Sequence, residues 1–162
     1  NLGESLFYNC TARAEAKLGS KITVIPDFAF YGCSSLASIA VPDGVTTIGQ
    51  KAFYGCKALE TIDSLASVAT IGKNAFFNCT ALSSIGNIDN VETIGDYAFS
   101  CCTSLIELTV TGKTTHVSAY AFYKWTASQT ITFTDYTAAP STWPTTWKTS
   151  CSAKLVWATA EA

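Results

Sequence analysis

The sequence predicts one solenoid domain over residues 1–162, α/β or mainly β, in which 23-residue units stack short parallel strands and turn through short helical segments. The first observation is a column of phenylalanines at a constant interval, namely Phe7, Phe30, Phe53, Phe76, Phe99 and Phe122. The second is a column of cysteines in the same register, namely Cys10, Cys33, Cys56, Cys79 and Cys102. A fixed period of this length is typical of proteins whose units bury their apolar faces only against neighbouring units.

The composition argues against two kinds of partner, nucleic acids and the interior of a membrane. Charged residues make up 14% of the chain and the net charge is −2, so we expect no nucleic-acid partner. Because no apolar run approaches the ~20 residues that span a bilayer, we expect no membrane insertion. The chain begins at Asn1 without a signal-like start. We interpret it as a mature or excised segment, or as a fragment of a longer protein.

Residues 1–22 form a degenerate first unit. Phe7 and Cys10 keep the register, but the later apolar positions of the unit are lost. Terminal repeats are expected to lose their pattern because one of their faces meets water. The alanine-rich run Thr11–Leu18 predicts a short helix over this end.

Residues 23–133 hold the repeats. In a representative unit, residues 36–41 alternate between apolar and polar, as a strand does, and residues 45–48 predict a second, shorter extended segment. Apolar residues then fall at i, i+1 and i+4 in Ala52–Cys56, the spacing of a helical turn. Each unit is therefore predicted to contain a strand, a turn, a short extended piece and a helical turn.

The cysteine column predicts free thiols. Neighbouring strands lie ~4.8 Å apart, and equivalent side chains point the same way. That spacing exceeds the ~3.5–4.5 Å between Cβ atoms that a disulfide needs. We therefore expect a row of small, buried, unpaired thiols.

The pattern Leu-x-x-Ile-x-Val-Pro…Val-x-x-Ile-Gly-x-x-Ala-Phe-x-x-Cys, seen in Leu36–Cys56, resembles the treponemal or BspA-like class of leucine-rich repeat over roughly residues 22–133. The resemblance implies a right-handed, curved solenoid with a parallel sheet. It also implies a secreted or cell-surface protein of bacteria or some parasitic protists, used in attachment. Ser64 and Asn87 depart from the pattern at the position of Val41, and their units are expected to bulge slightly.

Residues 134–162 break the register and predict a C-terminal cap. The apolar stretch Ala153–Ala158 predicts an edge strand that closes the end of the sheet. Trp143 and Trp147 are interpreted as packing in this cap, with a ligand groove as the alternative.

No catalytic, cofactor-binding or metal-binding residues are predicted, and we expect no enzyme activity. The single histidine, His116, aligns with threonines that should face solvent. The cysteines lack the spacing of a metal site, and no base is placed to activate one as a nucleophile.

Two surfaces are candidates for binding. Outward positions on the strands, Thr61, Asp63, Glu107 and Thr109, predict a smooth, weakly acidic sheet of small polar groups. The residue after each phenylalanine is often aromatic, and the resulting stripe includes Tyr31, Tyr54 and Tyr123. Rings ~5 Å apart could stack along an extended ligand. The alternative is that the rings pack flat over the turns and stiffen the solenoid.

The leading interpretation is a non-enzymatic recognition or adhesion module without a cofactor. Its expected partner is a protein or glycan of a host cell or matrix. The repeat pattern does not predict an oligomeric state. The alternative is a structural stalk that holds another domain away from the cell surface.

Overall fold

The computed structural model describes residues 7–12 and 14–159, which wind into stacked coils. In most coils two sides are short strands, and the third side is a chain of turns. The strands are β1 (Glu15–Lys17), β2 (Val24–Ile25), β3 (Ser38–Ala40), β4 (Thr47–Ile48), β5 (Thr61–Ile62), β6 (Thr70–Ile71), β7 (Thr93–Ile94), β8 (Glu107–Val110), β9 (His116–Val117), β10 (Thr130–Phe133) and β11 (Lys154–Trp157). A 3-10 helix spans Thr145–Lys148. In the described ranges, no helix is long and apolar enough to cross a membrane.

One side of the solenoid is a continuous parallel sheet in the order β2-β4-β6-β7-β9. Each strand pairs with the strand one coil away, so that Ile25, Ile48, Ile71, Ile94 and Val117 align in one column. These side chains are almost completely buried. The predicted parallel stacking at a 23-residue period is confirmed.

We call the opposite strand-bearing side the strand face; it is formed by β1, β3, β5, β8, β10 and β11. Its strands form two separate parallel sheets, β1-β3-β5 and β8-β10-β11. Between the two sheets lies Ser83–Asn87, which we call the interrupted segment. Within the described residues, its only bridge is from Ser84 to Thr61.

The third side, which we call the turn side, is not helical, so the prediction of helical turns is wrong. Alternate amides donate within the coil and to the next coil: the Tyr54 N–H reaches the Lys51 oxygen at 3.2 Å, whereas the Phe53 N–H reaches the Ala75 oxygen at 2.8 Å. This alternation requires a left-handed residue at Lys51 (φ 54°) and again at Gly55 (φ 72°). A helix would have kept every bond inside its own coil, whereas these turns also join the coils.

The core contains the phenylalanine column and the thiol column. Successive phenylalanine rings lie nearly parallel, with centroids 5.0–6.2 Å apart. Each buried thiol donates to the carbonyl of the phenylalanine one coil back, as Cys79 Sγ does to the Phe53 oxygen at 3.0 Å. At the end of the column, Trp125 Nε1 donates in the same way to the Phe99 oxygen at 2.8 Å. All seven cysteines are unpaired, as predicted.

The N-terminal end of the solenoid differs from the prediction, and the C-terminal end agrees with it. The predicted helix over Thr11–Leu18 is wrong: Glu15–Lys17 is strand β1, which pairs with β3 and turns Ala16 inward. Pairing satisfies the backbone of β3, which a helix would have left open. The C-terminal edge strand is confirmed, since β11 pairs in parallel with β10.

Candidate binding surface

The four candidate residues of the strand face lie in two pairs. Thr61 belongs to β5 and Asp63 follows it, whereas Glu107 and Thr109 belong to β8, and all four are exposed. The pairs are two coils apart, or ~10 Å at the spacing of parallel strands. The interrupted segment separates them, so the structure does not bring the four residues into one group.

The interrupted segment packs against the preceding coil. Gly86 has φ +60°, and a Cβ atom at this position would lie 2.4 Å from the Asp63 carbonyl oxygen. In the described part of the chain, no backbone hydrogen bond joins Ser83–Asn87 to Ile106–Val110. On the turn side the same two coils remain joined, for example through the Asn78 N–H and the Ser100 oxygen at 2.9 Å.

The expected irregularity at Asn87 is therefore confirmed, and the expectation of a smooth sheet is wrong. A hollow of about 560 Å³ opens where the ladder is missing, lined by residues 83–89 and 105–109. Its charged residues are Asp89 and Glu107, and neither lining segment contains lysine or arginine. Ile106 stands at its margin with 57% of its surface exposed.

A second hollow of about 450 Å³ lies on the same face near the N-terminal end, and it includes Asp63. Glu15 and Lys17 of β1 also line it, so its charges are mixed. The strand face therefore has two depressions, of which the one beside β8 is larger and carries only acidic groups.

The aromatic stripe consists of two separate groups. Tyr8, Tyr31, Tyr54 and Phe77 form a stack with centroids 4.8 Å apart and interplanar angles of 5–8°. The next position is Ser100, which is buried, and the stack ends there. Tyr31 and Tyr54, inside the stack, have both ring faces covered by neighbours, whereas Tyr8 at its end is 49% exposed.

Tyr123 does not belong to this stack. It meets Tyr97 and Tyr120 edge-on at 6.0 and 6.2 Å, while those two rings stack on each other at 4.8 Å. Grouping Tyr123 with Tyr31 and Tyr54 is therefore corrected: the register is shared, but the missing ring at position 100 separates them.

Partial burial raises the pKa of the Tyr54 phenol, and the neighbouring Tyr31 adds to this effect. The Lys51 ammonium lies 5.4 Å from the Phe28 ring centroid and 5.9 Å from that of Tyr54. These contacts place a cation over the stack, where it covers further ring surface.

Side chains that could support chemistry do not converge. Within residues 7–12 and 14–159, no three His, Cys, Asp or Glu side chains are grouped so as to hold a metal ion. His116 is exposed, as expected, and its Nδ1 atom lies 3.0 Å from the Thr115 hydroxyl. Trp143 and Trp147 are 4% and 3% exposed, so the Trp-Pro-x-x-Trp run packs against the core and forms no groove.

Sequence reasoning missed Ile106 and the tyrosines Tyr97 and Tyr120. Ile106 occupies a register position that carries Ala37, Glu60 and Ser83 in the preceding coils, so an isoleucine there was the available signal. Tyr97 and Tyr120 lie two residues before their phenylalanines, outside the register position of the aromatic stripe, which follows each phenylalanine.

Coils of this period, with parallel strands and a repeated Phe–Cys core, define a leucine-rich-repeat solenoid. The profile of the BspA type leucine rich repeat region matches residues 1–136 with six copies, and the chain belongs to this family. Proteins built from leucine-rich repeats generally serve as protein-interaction or structural modules. No curated protein sequence matches the chain.

The chain is similar to three solved leucine-rich-repeat structures, of which the first has the same fold over most of the chain. A leucine rich repeat protein of T. pallidum is 30% identical, with a TM-score of 0.69, over 74% of this chain and 58% of that one. A leucine-rich repeat protein of Bacteroides ovatus is 20% identical (TM-score 0.47; 95% of this chain, 54% of that one). A leucine rich cell surface protein of Faecalibacterium prausnitzii is 18% identical (TM-score 0.48; 97% and 63%). The chain thus spans between half and two thirds of the length of these proteins.

Proposed function

We propose that the protein is a non-enzymatic recognition module that binds a protein or glycan ligand of a host cell or matrix through its strand face. The observation that carries this proposal is the hollow beside β8, where exposed Glu107, Thr109 and Ile106 meet the interrupted segment. A solenoid that served only as a spacer would have no need to open its sheet at one coil.

The strand face is favoured over the aromatic stack. Ligands that stack on aromatic residues need an open ring face. The faces of Tyr31 and Tyr54 are covered by neighbouring rings at 4.8 Å, and a lysine covers more of Tyr54. The stack is therefore better explained as packing that stiffens the turn side.

The proposed setting is outside the cell, either secreted or at the cell surface. It is supported by the family to which the chain belongs. Locating the native protein by antibody labelling of intact cells tests this part.

The binding test uses charge reversal on the strand face. The double variant Asp63→Lys, Glu107→Lys should keep its circular dichroism spectrum and lose about tenfold or more in affinity. Affinity is measured by surface plasmon resonance against immobilised matrix proteins and arrayed glycans. The matched control replaces Tyr31, Tyr54 and Tyr123 with serine and should bind as the parent does.

If the tyrosine variant loses affinity while the charge-reversed variant keeps it, the ligand binds to the aromatic groups. If neither variant changes binding while both stay folded, the structural stalk replaces the recognition module as the better explanation. That alternative rests on the regular stacking of the coils, which also suits a spacer.

A further inference from the structure

We propose that the hollow beside β8 binds an extended, basic peptide segment of a partner protein, which pairs with the open edge of β8 as an added strand. This inference rests on the proposed function and narrows the partner to a peptide at one site. It uses the main chain of Glu107 and Thr109 and the side chains around them.

The edge of β8 that faces the interrupted segment has free backbone groups. On its other edge, the Ile106 oxygen accepts from the Thr130 N–H at 2.8 Å and the Val110 oxygen from the Thr134 N–H at 3.1 Å. Backbone groups of successive strand residues point to opposite sides, so those of Glu107 and Thr109 point towards the hollow. Among the described residues, none forms a backbone bond to them there.

This edge lies inside the molecule, between two coils, and is therefore unlike the outer edges of β1 and β11. Gly86 holds the interrupted segment against Asp63 on the far side of the hollow. The volume of about 560 Å³ therefore lies between a segment that, among the described residues, pairs only with its predecessor and a strand with an unused edge. Unpaired strand edges are templates for pairing with another chain.

The lining chemistry favours a basic peptide over a glycan. Asp89 and Glu107 provide negative charge, and the lining segments contain no lysine or arginine; Lys113 lies beside Asp89 outside the hollow, where it donates to Asn90 Oδ1. Exposed Ile106 offers an apolar contact next to the edge. Neither lining segment contains an aromatic residue, whose ring face a sugar would use.

The first measurement is residue-level hydrogen exchange by NMR. In the free protein, the amides of Glu107 and Thr109 should exchange rapidly, whereas those of Thr130 and Thr134 should be protected by their bonds to β8. Adding a short, terminally blocked peptide of alternating lysine and valine should slow exchange at Glu107 and Thr109. Rapid exchange that the peptide leaves unchanged, or protection already present without it, would overturn the inference.

The second measurement removes one edge donor. Thr109→Pro deletes an N–H that faces the hollow, and proline is tolerated where a strand amide is unpaired. This variant should fold with little loss of stability and bind the peptide about tenfold more weakly. The matched control is Thr132→Pro, which deletes an N–H on the β8-facing edge of β10 and should clearly destabilise the fold.

The probe itself supplies a test that does not depend on a variant folding. Methyl groups on alternate peptide nitrogens should abolish binding while the side chains stay the same, and replacing lysine by glutamate should do so through charge. Equal binding of the methylated and parent peptides would overturn strand pairing.

Failure of this inference can be told from failure of the proposed function. If the charge-reversed protein loses its matrix or glycan ligand while Thr109→Pro retains it, the strand face binds by another geometry and only the strand-pairing inference falls. If the ligand lost is a glycan and the peptide never binds, the peptide assignment is overturned and recognition stands.

Discussion

The turn side and the strand face of this solenoid follow the same 23-residue period, but they differ in how regularly neighbouring coils are hydrogen-bonded. On the turn side the coils from Phe7 to Phe99 repeat the same hydrogen bonds between phenylalanine amides and the next coil, and the thiol column runs from Cys10 to Cys102 through the same coils. On the strand face the ladder stops at Ser83–Asn87 and begins again at β8. The turn side therefore maintains the fold, and because it does so, the strand face can depart from the regular repeat.

The difference shows why an interruption can be tolerated. Cys102 Sγ donates to the Phe76 oxygen at 3.1 Å, and the Phe76 N–H donates to the Ala98 oxygen at 2.9 Å, so the two coils on either side of the gap stay aligned. Because stability in such proteins is roughly a sum over neighbouring units, the loss of one short ladder weakens one interface without ending the solenoid.

The largest expected effect comes from shifting the turn side out of register. Removing Ala52–Asn74, one full period, joins equivalent positions and should leave a shorter, less stable solenoid that still unfolds cooperatively. Removing Ala52–Asp63, about half a period, should place phenylalanines against strand residues and abolish cooperative unfolding. Urea titration followed by circular dichroism checks both, and equal tolerance of the two deletions contradicts the register argument.

The thiol column predicts a loss of stability at alkaline pH. Burial raises the pKa of Cys56, Cys79 and Cys102, so these thiols keep their protons in the folded state. Their stabilising contribution is complete below the unfolded pKa, and it falls above about pH 8.5, where the unfolded thiols ionise. The free energy of unfolding should drop by about 2.5 kcal/mol per pH unit on average between pH 8 and 9.5 for the three together, approaching about 4 kcal/mol per unit once the unfolded thiols are fully ionised.

Urea midpoints between pH 8 and 9.5 measure this slope, below the range in which tyrosine titrates. Cys79→Ala should reduce it by about a third, because one of the three thiols is removed. A flat profile over this range would show that the column is not buried in solution.

Two glycines with positive φ allow the strand face and the turn side to be compared by the addition of a single Cβ atom. Gly86 on the strand face has no room for a Cβ, which would lie 2.4 Å from the Asp63 oxygen, whereas a Cβ at Gly55 on the turn side would meet its nearest atom at 4.0 Å. Gly55→Ala should cost about 1–2 kcal/mol, the strain of a left-handed residue. Gly86→Ala should cost more, about 2–4 kcal/mol, since it adds a backbone clash. Thermal denaturation of both variants checks the order.

The smallest effect is expected at the exposed margin of the hollow. Ile106→Ser should change the free energy of unfolding by less than about 0.5 kcal/mol. Leu108→Ala, two residues further along β8 and 4% exposed, should cost about 2–5 kcal/mol. If Ile106→Ser destabilised the protein as much, Ile106 would be part of the core and its exposure would need another explanation.

The sequence was sufficient for the solenoid, its period and its buried columns, because those depend on Phe, Cys and Ile at fixed positions. The helical turns were wrong because apolar spacing at i, i+1 and i+4 suits both a helix and this chain of turns. Left-handed residues would have distinguished them, but Lys51, Asn74 and Tyr97 fill those positions without a glycine to mark them.

The candidate site was only partly predictable. Glu107 and Thr109 could be placed on the strand face from alternation alone. The gap beside them depends on which strands of neighbouring coils pair, and the alternation within one coil carries no record of that pairing. Gln129 was also not anticipated: buried in the last repeat, it donates to the Cys102 and Leu105 oxygens at 3.0 and 2.8 Å.

The arrangement of aromatic residues gives the solenoid two optical reporters at opposite ends. All four tryptophans lie between Trp125 and Trp157, so fluorescence follows the C-terminal coils. Stacked Tyr8, Tyr31 and Tyr54 couple their transitions at the other end, so near-ultraviolet circular dichroism, to which Tyr97 and Tyr120 also contribute, includes the N-terminal coils that fluorescence does not report. Coincident unfolding curves from the two signals would mean that the coils melt together across the gap, and separated curves would mean that the gap divides them.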